Sequence, residues 1–347
     1  MQIPVGILVD RVGVQKINFI GLLITAAGSV LFGLAHSLET AYLSRFMVGI
    51  GTSVIIVSIL KVQATWFPLS QFSTLSGLTS FFGNFGSLLA IYPLTYFSIV
   101  LGWRNIFYIM AGISLLLSLL VLWGVRDAKT ELKNEVPQEK SSFKDFLNES
   151  LSSVLKNPRT WPNILILFAF TGSSTTLLGL WGIPLLTQIY TLDKAMAAGY
   201  LTYATFGFIL GAPLVTLWVH WLKGNRRPLL AGTGLNLILW IYITIFAQGQ
   251  PPAYLWPAFF FIFGILIMNH LLAFSNVTAV NSLKYSGIAS AVTNMGEFIG
   301  SSLASLAIGF ILDHSGKSTQ AWWVILVMAA LGFIGALLMK ENPRPQT

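Results

Sequence analysis

Met1–Lys16 reads MQIPVGILVDRVGVQK. Gly6, Asp10, Arg11, Gly13 and Lys16 sit between an apolar approach, Ile3–Val9, and the charge-free apolar run Ile17–Ala35. Two adjacent opposite charges flanked by glycines, with a lysine just before a membrane-length run, describe a tight polar loop joining two hydrophobic helices. The approach is too short to cross a bilayer, which takes about 20 residues. The stretch therefore reads as the end of one helix, a loop, and the start of the next.

Composition supports a membrane setting for that loop. The chain has 347 residues, 55% of them hydrophobic and 9% charged, against about 25% charged in ordinary soluble domains. Residues 62–103, 105–125, 160–192 and 228–283 contain no Asp, Glu, Lys or Arg. Apolar runs of about 18 residues or more read as transmembrane helices. The continuity of the runs excludes an outer-membrane barrel, whose strands alternate over about ten residues. The fold class is thus an all-α polytopic membrane protein. Cysteine is absent, which removes disulfides, thiol catalysis and Cys-based metal sites. The first residues do not read as a signal peptide: a basic region is lacking, and Asp10-Arg11 stand where the apolar region should continue.

Ten full spans are predicted: 17–36, 41–60, 74–99, 103–125, 161–187, 197–221, 228–247, 254–279, 286–312 and 321–339. Proline and glycine inside several of them (Pro93, Pro184, Gly207, Gly211, Pro213) are tolerated in membrane helices. With the N-terminal loop in the cytoplasm, fifteen Lys/Arg fall in cytoplasmic segments and three (Arg104, Lys194, Lys317) on the opposite side. This positive-inside asymmetry accounts for the net charge of +8 without a nucleic-acid partner. It predicts a multi-pass protein of the plasma (inner) membrane with both termini cytoplasmic. The polar segment 126–160 carries seven Lys/Arg and six Asp/Glu. Phe143, Phe146, Leu147, Leu151, Val154 and Leu155 share one helical face there, after a Ser141-Ser142 cap. An amphipathic helix on the cytoplasmic membrane surface is expected.

The chain repeats itself. Ser76–Ser87, SGLTSFFGNFGS, and Ser286–Glu297, SGIASAVTNMGE, superpose on a shift of 210 residues, pairing Ser76 with Ser286, Gly77 with Gly287, Ser80 with Ser290, Asn84 with Asn294 and Gly86 with Gly296. The same shift carries the order of spans in the first half onto the second, as in duplicated transporters. It also leaves spans 161–187 and 197–221 without a first-half counterpart, so about 50 residues, one helix and most of a second, are expected upstream by this ruler.

At this point the residues resemble a known family. Gly6-x-x-x-Asp10-Arg11-x-Gly13-x-x-Lys16 resembles the loop signature between the second and third helices of major facilitator superfamily transporters. Arg45-x-x-x-Gly49-x-Gly51 is similar to that family's fourth-helix motif, and Gly102-Trp103-Arg104-x-x-Phe107 to the turn between its fifth and sixth helices. The resemblance covers the whole chain. Gln15 replaces a usual basic residue, and the second copy of the loop is reduced to Lys223-Gly224-Asn225-Arg226-Arg227. It implies a pseudo-symmetric two-bundle architecture with a 6+6 repeat, of which about ten complete helices are present. The expected parts are an N-terminal bundle at 1–125, a cytoplasmic loop at 126–160 and a C-terminal six-helix bundle at 161–347. It also implies secondary transport of a small organic solute by alternating access, with Gly6, Asp10, Arg11, Gly13 and Lys16 as the gating motif. Asp10 is expected to meet the cytoplasmic end of the span near Gly287, where a helix N-terminus stabilises a carboxylate.

Candidate substrate or proton-coupling residues are the polar ones within spans. Glu297 lies about 18 Å along its helix, near the middle of a roughly 30 Å core, where a charge costs about 2.5–3.5 kcal/mol on insertion scales. It reads either as a coupling or substrate-charge site or as a neutral, hydrogen-bonded Glu. Arg45 reads as a substrate or acid partner, or as a snorkelling cation. His270, beside Asn269, reads as cavity-lining or as a packed, hydrogen-bonded ring. Asn84 and Asn294 read as interhelical hydrogen-bonders more than as substrate contacts. Trp181 is a lesser cavity candidate, and Lys61 reads as a snorkelling lysine. No metal cluster, phosphate loop or nucleophile elbow is present in the sequence, so no cofactor, metal or enzymatic activity is expected. The expected partners are a small-molecule substrate, the lipid bilayer and protons, acting on a monomer. The competing readings are a non-transporting remnant of such a transporter and a membrane-embedded enzyme.

Overall fold

The computed structural model describes residues 5, 8–9, 12–67, 69–125, 143–282 and 285–341. Long apolar runs broken by glycine and short polar turns leave the backbone one way to meet its hydrogen bonds in lipid, the helix. Nine helices among the described residues are long and apolar enough to cross a membrane. The predicted span 74–99 falls on a further helix, Leu69–Leu101, whose described apolar part is Leu89–Leu101.

Among the described residues, four long helices lie in the first half: α1 (Val14–Gly33), α2 (Leu38–Trp66), α3 (Leu69–Leu101) and α4 (Trp103–Gly124). α1 begins at Gly13, whose φ of 101° suits a residue without Cβ. α2 is capped by Ser37, whose hydroxyl accepts the Thr40 N–H at 3.2 Å. The short helix α5 (Phe143–Lys156) comes next. Then come α6 (Trp161–Tyr190), α7 (Lys194–Trp221), α8 (Arg226–Phe246), α9 (Ala253–Val280), α10 (Ser286–Ser315) and α11 (Trp322–Leu338). α6 contains two π turns, Leu167–Thr171 and Leu177–Trp181. α8 ends in a third, Tyr242–Phe246, and α9 is interrupted between Ile267 and His270.

The chain forms two compact units, residues 1–140 and 141–347. In the first, α1 packs on α2 and α4. Glycine allows backbones to approach: a methyl on Gly51 would lie 2.8 Å from the Thr25 nitrogen, and one on Gly21 would lie 2.8 Å from the Gly51 carbonyl. Val5, Val9, Val14, Ile17 and Val54 form an apolar cluster at the Lys16 end, and Lys61 reaches into that end to donate to the Val9 carbonyl at 3.1 Å.

In the second unit α8 packs on α11 and α9, as its repeat partner α1 packs on α4 and α2. α7 and α9 meet through Gly207 and Gly264, which face each other's helix backbones. α6 and α10 meet through Gly172, Gly296 and Gly300. α5 uses its buried face on this unit. Val154 is fully buried against Val277 and Ala289, the Tyr285 hydroxyl donates to Glu149 Oε1, and the Asn157 amide donates to the Val280 carbonyl at 2.8 Å. The amphipathic pattern that predicted a surface helix is therefore met, at Val154, by protein. An apolar stripe takes either cover, and the pattern alone does not choose between them.

Candidate functional site

α10 is built from three stripes. Ala289, Thr293, Gly296, Gly300, Ala304 and Ile308 are buried and face the unit's interior. Met295, Phe298, Leu306 and Phe310 are exposed and apolar, a face suited to lipid. Between them runs Ser290, Asn294, Glu297, Ser301 and Ser305, all half-buried and spaced three or four residues apart. A row of polar side chains through the middle of a membrane helix needs water or polar protein alongside it.

α6 supplies the partner. Between its two π turns lies Gly172–Thr176, in which Ser173, Ser174 and Thr176 are buried and Thr175 is exposed. A π turn adds a residue to the helical register, rotating the residues after it by about 100°. Thr175 is thereby carried to the surface beside α10, and its hydroxyl donates to Glu297 Oε1 at 2.9 Å. Thr176 binds the same helix one turn on, donating to the Ser301 carbonyl at 3.0 Å. The close approach at Gly300 and Gly172 makes these short side chains long enough to bridge. The result is a carboxyl at mid-span with one oxygen held by a hydroxyl and its surroundings half open. Such a group can take up and release a proton, or receive a hydrogen-bond donor from a solute.

The other predicted residues fall in different places. Asn294 shares the stripe, one turn before Glu297. His270 does not join them: it begins the second segment of α9, its Nδ1 lies 2.8 Å from the Ile267 carbonyl and its ring meets Phe274 edge-on. Trp181 lies at the end of the second π turn with its indole against Gly309 of α10. Arg45 belongs to the first unit. It is exposed near the start of α2, its guanidinium 4.7 Å above the Phe32 ring and 5.3 Å from that of Phe107. Arg104 lies near that end, stacked 4.2 Å over Trp103 and donating to the Ala35 carbonyl at 3.2 Å. Asn84 is on α3, its side chain outside the described residues. Of the loop motif, Gly13 caps α1 and Lys16 is exposed on its first turn, while Gly6, Asp10 and Arg11 lie outside the described residues. Among the described residues no group of three His, Cys, Asp or Glu could hold a metal.

Sequence reasoning passed over Thr175 and Thr176. The signal was the hydroxyl-rich run Thr171-Gly172-Ser173-Ser174-Thr175-Thr176, but which hydroxyl faces Glu297 depends on π turns that no periodicity announces.

Comparison with known proteins places this geometry. The family model of the major facilitator superfamily matches residues 1–305. The probable sulfoacetate transporter of Cupriavidus necator is 22% identical over 99% of this chain and 83% of its own length. The probable L-galactonate transporter of Escherichia coli is 23% identical over 99% of this chain and 78% of its own. Among solved structures, a D-xylose–proton symporter superposes with a TM-score of 0.74 at 16% identity, covering 99% of this chain and 84% of that one.

Proposed function

The chain belongs to the major facilitator superfamily, and from that premise we propose that it is a secondary transporter carrying a small organic anion, coupled to protons, by alternating access. It is a multi-pass membrane protein, and its place in this reading is the plasma membrane with both termini cytoplasmic. The observation that carries the proposal is the Thr175–Glu297 pair: a half-buried carboxyl at mid-span, on a continuous polar stripe, with one oxygen held by the Thr175 hydroxyl. An ionised carboxyl is costly at that depth, so a proton that comes and goes there is tied to when the stripe meets water. Two relatives whose names specify sulfoacetate and L-galactonate, both carboxylates, support an anionic substrate. Arg45 supports it from the first unit, because its guanidinium is stacked on rings and makes no hydrogen bond among the described residues. Its donors remain available for a carboxylate.

The test uses the chain reconstituted in liposomes with an imposed pH gradient and labelled sulfoacetate and galactonate outside. Uptake above equilibrium that tracks the pH gradient is expected. Glu297→Gln is expected to keep exchange of internal for external solute and to lose gradient-driven accumulation. Accumulation by Glu297→Gln equal to the parent's refutes the coupling role, and no uptake of either anion by the parent refutes the substrate class.

A further inference from the structure

The seam between α8 and α9 holds buried polar atoms without a hydrogen-bond partner among the described residues. Asn236, Trp240 and Thr244 succeed one another at intervals of four along α8 and are 1%, 0% and 5% exposed. Asn236 Oδ1, Trp240 Nε1 and Thr244 Oγ1 are buried without a hydrogen-bond partner among the described residues. Asn269, at the interruption of α9, is fully buried. Its amide nitrogen donates to the Leu266 carbonyl at 2.8 Å, and its Oδ1 has no partner among the described residues. Asn269 packs on Gly232, one turn before Asn236, so the four groups form one column, about 18 Å from residue 232 to residue 244 at the helical rise. Aromatic rings wall it: Trp240 lies 5.0 Å from Phe259, 5.9 Å from Phe263 and 5.6 Å from Trp322.

A second observation coincides with the column. Its two ends are the two backbone irregularities of this seam, the interruption of α9 at Asn269 and the π turn of α8 that contains Thr244. Backbone irregularities of this kind are places where water regularly inserts beside the helical ladder. The unmatched atoms also complement one another. The Trp240 N–H donates, the two Asn oxygens accept, and the Thr244 hydroxyl does both.

From this we infer that the α8–α9 seam binds a file of ordered water molecules inside the second unit, each held by two or more of Asn236, Trp240, Thr244 and Asn269. Buried water of this kind makes about three hydrogen bonds to groups that have no other partner. The file keeps the seam polar without filling it with side chains, so α8 and α9 can bend at their irregular turns while their backbone groups stay bonded. Trp256, whose Nε1 is likewise buried without a hydrogen-bond partner among the described residues, lies beside the column, 5.4 Å from Trp322.

Two measurements on the full chain in nanodiscs decide it. Millisecond X-ray radiolysis modifies buried side chains where bound water supplies the hydroxyl radical. Trp240 is expected to be modified well above the level of Phe170, which is equally buried. The variants Thr244→Val and Asn236→Leu remove a polar atom at nearly constant shape. In a dry seam that relieves an unmet group and raises or leaves Tm, whereas in a hydrated one it strands water and its other partners. Each variant is expected to melt about 2–4 °C below the parent. Trp240 unmodified in the parent, or either folded variant melting at or above the parent, overturns the inference. Should neither variant fold, the labelling of the parent decides alone.

Discussion

Gly300→Ala adds one methyl at the closest approach of α6 and α10. The new carbon would overlap the Phe168 carbonyl oxygen, and Gly172 across the same contact offers no slack, since a methyl on it would lie 2.9 Å from the Ser301 nitrogen. Backbone cannot swing aside as a side chain can, so the helices must part. Overpacking by a methyl costs about 1–3 kcal/mol, and a domain of this size loses about 2–4 °C of Tm per kcal/mol. The separation also reaches the site. Thr175 Oγ1 and Glu297 Oε1 are 2.9 Å apart, and parting the helices by about 1 Å, a modest response to one methyl, stretches them beyond hydrogen-bond range. Gly179→Ala and Gly309→Ala serve as controls, because a methyl on Gly179 meets nothing within 4 Å and one on Gly309 reaches Trp181 at an ordinary 3.6 Å. In a helix interior alanine is otherwise favoured over glycine by up to about 1 kcal/mol, so both controls should match or exceed the parent in a thermal melt. Gly300→Ala should fall below them and lose gradient-driven uptake. A Gly300→Ala protein that melts with the controls refutes the close-contact reasoning.

Asn276→Leu should destabilise the second unit by about 1–3 kcal/mol, because it strands the oxygen of fully buried Asn163, 3.1 Å away. Adding Asn163→Leu should restore part of the loss in the same melt, and an additive double variant would count against the pair. Arg45→Met should raise the KM for an anionic substrate about tenfold or more with little change in Tm, since an exposed cation–π contact contributes about 0.5–1 kcal/mol. An unchanged KM removes Arg45 from the substrate path. Asp10→Asn should leave membrane insertion intact and shift the opening equilibrium about two- to fivefold, the range of one carboxylate at a helix terminus. Parental transport rates would remove its gating role.

The helices were legible because each is a run of apolar residues of bilayer length. The predicted 103–125 is Trp103–Gly124 and the predicted 228–247 is Arg226–Phe246, since glycine and charge mark the ends locally. Glu297 was legible because any carboxyl at mid-span stands out against its neighbours. Its partner was not. The turn that exposes Thr175 is a property of the hydrogen-bond ladder, and Ser173, Ser174 and Thr176 look the same in sequence. The cover over Val154 was equally hidden, because it comes from Val277 and Ala289, more than a hundred residues away.

The second loop of the repeat carries a wider lesson. Its first copy contains Asp10, while Lys223–Arg227 contains no acid. Glu341, beyond the end of α11, lies against this second copy: its Oε1 accepts the backbone N–H groups of Asn225 and Arg226, and Gly224 leaves room for the carboxylate. A loop without an acid of its own thus has a negative charge delivered to it from more than a hundred residues along the chain. The charge belongs to the fold around this loop, and a search for matching letters within the loop passes over it.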